Sequence, residues 1–249
     1  AGVCGAGSLG EHAPAGLLAL LSAGYSRQSG MNVKEGPCPV AAEQSVASRR
    51  NAFLARWVGW VSLGESLGFL APAVAQLLAA ALWPAGQVPL LVLAGFVEGA
   101  VLGLFQVRVL RTRLPAVRTR PWVLLTAAAA VVAWALGLLS FGNEAWQEWP
   151  PAAQAATGTA AAVLLLLSIG LAQWFELRRH VTRAWWWVAG SAAAWAAGLG
   201  VFMAVATPLW QPGQDPWLSA AIGVVAAVFM AVAMALVTGL VMVRILPKA

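Results

Sequence analysis

The sequence predicts an all-α polytopic membrane protein: six transmembrane helices, built as three repeated two-helix hairpins, with both termini in the cytoplasm. Three observations predict it. Of 249 residues, 61% are hydrophobic and only 10% charged, with a mean hydropathy of +0.78, whereas a soluble domain carries roughly 25% charged residues. Six apolar runs are each long enough to cross a hydrocarbon core of ~30 Å, which takes about 20 helical residues. Every Lys and Arg lies at or beyond the ends of these runs, on one side only. The runs are continuous and do not alternate with period two, which excludes a transmembrane β-barrel.

Residues 1–50 precede the first run and read as a weakly ordered N-terminal tail; residues 51–249 read as the transmembrane domain. The stretch "AGLLALLSAG" (15–24) has the length of a signal-peptide core, but no basic segment precedes it. Met31, followed by "NVKEGPCPVAAEQ", reads as a start, which would make residues 1–30 an upstream extension; a short amphipathic helix over 17–21 is the alternative. Both cysteines, Cys4 and Cys38, lie in this region. They form no Cys-x-x-Cys and join no metal-ligand cluster, and on the cytosolic side they stay reduced.

The spans then follow in order. Span 1 (about 57–83) opens on Trp57 and carries Gly64, Glu65, Gly68 and Pro72. Span 2 (about 88–110) places Gly95, Gly99 and Gly103 four residues apart, with Glu98 beside them and Gln106 on nearly the same face as Gly99. Span 3 (about 122–142) opens on Trp122-Val123, and span 4 (about 152–175) ends in "GLAQWFEL". Span 5 (about 185–206) carries Gly190, Ala194 and Gly198, and span 6 covers about 217–243. Small residues at four-residue spacing let helix backbones approach closely in lipid, where no hydrophobic drive separates helix from tail. Such faces serve packing within one subunit or, alternatively, a homo-oligomer seam.

Charge sets the orientation. Arg27, Lys34, Arg49, Arg50 and Arg56 precede span 1; Arg108, Arg111, Arg113, Arg118 and Arg120 surround the 2–3 loop; Arg178, Arg179 and Arg183 lie in the 4–5 loop; Arg244 and Lys248 end the chain. The opposite loops hold Glu144, Glu148 and Asp215 and no base. Positive residues stay inside, so the first set faces the cytoplasm, where arginines meet anionic lipid headgroups. The net charge of +6 does not imply nucleic acid, since the bases sit in clusters between apolar runs. Tryptophan agrees: Trp57, Trp60, Trp122, Trp185, Trp186 and Trp187 mark the inner boundary, and Trp83, Trp146, Trp149, Trp210 and Trp217 the outer one.

The dipeptide "WV" recurs at Trp57, Trp122 and Trp187, 65 residues apart. The partner spans end as "GLFQVRVL", "GLAQWFEL" and "GLVMVRIL", from Gly103, Gly170 and Gly239, so that Gln106 matches Gln173 and the third copy has Met242. Hairpins repeated in one orientation imply a pseudo-rotation axis along the membrane normal.

Two carboxyls lie inside the oil. Glu65 is eight residues past Trp57, so ~12 Å deep at 1.5 Å per residue, and Glu98 sits near mid-depth of span 2. A lone charge there costs roughly 2.5–3.5 kcal/mol on insertion scales, and an intramembrane ionisable residue is a functional candidate by default. The pair offers two chemistries, sharing a proton or holding a cation; the structural alternative is two acids bonded to backbone or to Gln106. Glu176, three residues before Arg179, reads as half of a helical surface ion pair, and His180 as a solvated loop residue. "TPLWQPGQDPW" (207–217) is an outer turn with interfacial anchors or, alternatively, a cap over a cavity.

No cofactor is implied. The sequence has no nucleotide-binding glycine loop, no H-E-x-x-H and no G-x-S-x-G, no paired intramembrane histidine for haem, and no Lys within a span for a Schiff base. An enzyme is therefore the third choice.

The segments "GESLGFLAPA" (64–73), "EGAVLGLFQVRVLR" (98–111), "GLAQWFELRRHVTRAWWWV" (170–188) and "TPLWQPGQ" (207–214) resemble a group of six-span bacterial integral membrane proteins common in actinobacteria. The resemblance spans about 55–246 and rests mainly on the GLxQxxxLR helix endings. It implies the six-span topology and a bacterial cell-membrane location, and it brings no established activity. The reading that follows is a small-solute or ion binding or transport protein, with Glu65 and Glu98 as the polar centre and Gln106 and Gln173 as the inner lining. The rival is a non-catalytic structural, sensory or accessory subunit of a membrane complex, with the glutamates as glue between helices.

Overall fold

The computed structural model describes residues 39–141 and 148–247. The expectations for Cys4, Cys38, Arg27, Lys34, Glu144, Trp146, Lys248 and residues 1–30 lie outside them. Among the described residues every regular element is helical. They are α1 (Pro39–Gly68), α2 (Leu70–Leu82), a short 3-10 turn (Pro84–Gly86), α3 (Gln87–Leu110), α4 (Thr119–Phe141), α5 (Pro151–Leu177), α6 (Trp185–Ala206) and α7 (Pro216–Ile245). Six spans, of 20 to 37 residues, are long and apolar enough to cross a membrane, with α1 and α2 sharing the first. Leu63, Leu78, Leu93, Leu124, Leu164 and Phe229 are exposed on their flanks, a pattern that a lipid solvent permits and water does not. A lipid bilayer is the environment these helices imply.

Local chemistry sets the boundaries. α1 starts at Pro39, well before the expected span. Pro fits a first helical turn, where its missing N–H is no loss, and no Gly or Pro follows until Gly59. The first span breaks at Phe69, between α1 and α2. Pro72 has no N–H to give the carbonyl of Gly68 four residues earlier; rungs on either side of the gap are kept, Phe69 N–H to Glu65 O (2.9 Å) before it and Ala73 N–H to Phe69 O (3.2 Å) after it. α5 and α7 also open on proline, and Asp215 caps α7 by accepting from the backbone N–H of Trp217 (2.8 Å) and Leu218 (3.4 Å).

The spans follow one another round a closed circuit. α2 packs on α3, α3 on α4, α4 on α5, α5 on α6 and α6 on α7, and α7 returns to α2. α1 joins the same seams: Phe105 of α3 lies against Gly64, and the Trp57 indole donates to Thr238 Oγ1 of α7 at 3.1 Å. Close approach depends on glycine. A Cβ placed on Gly99 would lie 2.6 Å from Ala130 Cβ and 2.9 Å from Ala127 Cα, so α3 and α4 meet only because position 99 has no side chain.

The two ends of this bundle differ. Toward the arginine-rich end the interior is a solid apolar core that includes Phe53, Leu110, Leu177 and Met242. At its centre are Trp57, Trp122 and Trp187, each with no exposed surface. The Trp187 ring stands edge-on to Trp57, with centroids 6.0 Å apart, and 6.3 Å from Trp122. These three were expected at the headgroup level; the structure turns them inward instead, and Trp60, Trp185 and Trp186 keep their exposure. An indole satisfies a core as well as an interface when its N–H finds an acceptor.

Candidate functional site

Toward the other end, the interior opens into a cavity of about 870 Å³ lined by residues from all six spans. Its floor carries Glu65 and Glu98, and its rim carries Gln76, Gln87, Gln211 and Gln214. Gln87 and Gln76 are bonded across the rim at 2.9 Å. The "TPLWQPGQDPW" segment therefore supplies part of the cavity mouth, the minority expectation for it.

The floor is assembled by glycine and tryptophan. A Cβ on Gly68 would stand 3.0 Å from the carbonyl oxygen of Glu98 and 3.2 Å from its Cα. The last turn of α1 thus lies directly against the Glu98 turn of α3, which brings Glu65 beside it. Gly95, one turn before Glu98, leaves room for the Trp134 ring of α4, and the Trp134 indole N–H donates to Glu98 Oε2 at 2.7 Å. Both glutamates are buried, at 2% and 6% exposure. Their satisfaction differs: Glu98 has the Trp134 donor, whereas both carboxyl oxygens of Glu65 find no hydrogen-bond partner among the described residues. Unpaired buried polar atoms are rare because each forfeits its hydration for nothing.

The walls are aromatic. Phe69, Phe202 and Trp210 meet in series at tilted and edge-on angles, with centroids 6.0 and 5.9 Å apart, running from the break in the first span to the α6–α7 connection. Trp134 and Trp195 add two more rings. No Lys, Arg or His lines the cavity among the described residues.

Gln106 and Gln173 lie elsewhere. They meet in the solid half of the bundle, where Gln173 Nε2 donates to Gln106 Oε1 (2.6 Å) and to Thr126 Oγ1 (2.8 Å). Gln173 Oε1 accepts from the Trp187 indole at 3.0 Å. The Trp122 indole N–H has no acceptor among the described residues. These glutamines bond across helices beneath the cavity and do not line it.

A second polar cluster ties the arginine-rich connections. Glu176, at the end of α5, is 1% exposed and accepts from Arg118 three times: from its backbone N–H (3.1 Å), from Nε (3.1 Å) and from Nη2 (2.7 Å). Arg179 Nη1 stands farther off at 3.8 Å, and His180 Nε2 at 3.5 Å, with its side chain 17% exposed. The expected surface pair is thus a buried carboxylate gripped by an arginine 58 residues away, and His180 is packed against it. The Glu176 carboxylate raises the pKa of the Arg118 guanidinium above its ordinary value, by hydrogen bonding first and charge second.

The sequence reading passed over Trp134 and Trp195. A signal existed: Trp134, Trp174 and Trp195 are the tryptophans assigned to neither boundary, and an indole N–H inside the hydrocarbon needs an acceptor. Phe69, Phe202 and Arg118 carried no such mark.

No family model matches the chain, and no curated protein or solved structure compared with it matches either.

Proposed function

We propose that this chain is a bacterial cell-membrane protein that takes a small solute or ion into its one-ended cavity and passes it across the bilayer, with Glu65 as the principal binding group and Glu98 beside it. Glu65 carries this reading. It is a buried carboxyl with both oxygens unpartnered among the described residues, on the floor of a chamber within the 300–1,000 Å³ range of ligand pockets. Acids that serve as glue between helices have partners. Glu98 has one in Trp134, an observation that favours the accessory-subunit reading for that residue alone.

The positive-inside rule supports a mouth on the outer side and both termini in the cytoplasm. The core of Trp57, Trp122, Trp187, Gln106 and Gln173 then closes the cytoplasmic end. Three indoles 65 residues apart that pack on one another, in spans that follow each other round a circuit, support a threefold repeat of hairpins about an axis along the membrane normal. Arginines at the cytoplasmic rim suit anionic headgroups.

The test is flux in proteoliposomes. The wild-type protein is expected to carry proton- or cation-dependent flux. Glu65→Gln is expected to abolish it, Glu98→Gln to reduce it, and both proteins to keep the wild-type elution volume. An inactive wild type, or full flux in the double variant, overturns the reading; a co-purifying membrane partner with indifferent variants would favour the accessory subunit.

A further inference from the structure

We infer that the ligand of this cavity is an organic cation, its charged centre seated at Glu65 and its apolar body held against the wall of Phe69, Phe202, Trp195 and Trp210. The inference rests on the solute-binding reading above and names the ligand class.

Four observations converge. The floor is acidic and the lining holds no base among the described residues, so an anion finds no counter-charge. Glu65 has two oxygens unpartnered among the described residues; a neutral apolar guest would bury them further and give them nothing. The walls hold aromatic rings in series, with centroids 6.0 and 5.9 Å apart at tilted and edge-on angles. Aromatic faces attract cations through the ring quadrupole, and desolvated aromatic sites recognise quaternary ammonium groups. A bare metal ion fits poorly, because a hard cation such as Ca²⁺ takes 6–8 oxygen ligands and the floor offers two carboxyl groups among apolar neighbours. A cavity of about 870 Å³ is also far larger than an inorganic ion needs, and large enough for a charged centre with several apolar substituents.

Charge can be separated from shape with two probes of nearly equal size and form, tetraphenylphosphonium and tetraphenylborate. Binding of each to the full chain in nanodiscs is measured by equilibrium dialysis, in excess of protein-free discs. The expected result is saturable binding of the phosphonium at one site and at least about tenfold weaker binding of the borate. Glu65→Gln should weaken the phosphonium about tenfold to a hundredfold, the worth of Coulomb attraction across roughly 6–10 Å at an effective dielectric near 20, and leave the borate no weaker. A second variant fills the chamber without touching the acids: a Cβ on Gly223 meets only Trp210, at 3.9 Å, so Gly223→Phe should lower phosphonium binding while the helices keep their packing.

Equal binding of the two probes, or a phosphonium affinity indifferent to Glu65→Gln, overturns the organic-cation assignment and leaves solute binding standing. No saturable phosphonium binding also overturns it, and flux in proteoliposomes then decides the broader reading separately. Should Glu65→Gln not yield a single elution peak, the phosphonium-to-borate ratio in the wild type and the loss in Gly223→Phe decide the matter.

Discussion

Trp122 and Trp187 show how far one hydrogen bond separates residues that look alike. Both rings are fully buried in the same core. Trp187 donates to Gln173 Oε1 at 3.0 Å, whereas the Trp122 N–H has no acceptor among the described residues. Truncation to Phe opens a void of similar size at either site, so the difference between the two variants reports the Trp187 bond together with the relief of the orphaned Trp122 donor. Trp187→Phe is expected to be less stable than Trp122→Phe by about 0.5–2 kcal/mol. Thermal unfolding in one detergent, followed by near-UV circular dichroism, measures it; equal melting temperatures would show that the Gln173 bond contributes nothing. At this scale the sequence was half legible. Glu65 and Glu98 stood out because an acid in oil has no ordinary reason to be there. Phe69 and Phe202 did not, because an aromatic that lines a cavity and one that faces lipid are spelled alike.

Among the elements, the α3–α4 connection owes its placement to α5. It spans residues 111–118, and its Arg118 delivers three hydrogen bonds to the buried carboxylate of Glu176. Removing the guanidinium leaves that carboxylate with the Arg118 backbone N–H and the more distant Arg179 and His180. Arg118→Ala is therefore expected to release the connection, read as faster amide exchange over 111–121 and faster trypsin cleavage at Arg111 and Arg113. Arg118→Lys should not restore protection, since an ammonium is a point donor and the guanidinium a planar fork. Unchanged exchange in Arg118→Ala would show that apolar contacts alone hold the loop. The sequence could not reveal this tie. Glu176 and Arg179 stand three residues apart, the ordinary spacing of a helical pair, and the true partner is 58 residues away. The helices themselves were legible, their limits agreeing within a few residues except at α1, where an absence of breakers lets the helix begin at Pro39.

For the molecule as a whole, the proposed orientation turns on which side carries the bases. Single cysteines placed by Ala116→Cys and Gly213→Cys, in a background with Cys4→Ser and Cys38→Ser, should react with a membrane-impermeant maleimide from opposite sides of the cell membrane. Gly213 is expected to label in intact cells and Ala116 only after permeabilisation. Labelling of both from one side would contradict the single-sided placement of charge. Six spans were legible because hydrocarbon thickness sets a length and every polar backbone group must be satisfied within its own helix. That successive spans are neighbours was legible in the repeat of hairpins; hydropathy alone records that a segment meets lipid and says little about which neighbour it meets.

The missing rung at Gly68 and Pro72 lies between the floor and the mouth. Below it, α1 is fastened into the tryptophan core by Trp57; above it, α2 carries Pro72, Gln76 and Leu77 along the chamber wall. A helix bends most readily where its ladder is interrupted. A bend at this break would change the width of the cavity mouth while the tryptophan core stays fixed, and it would carry Phe69, at the break itself, with it.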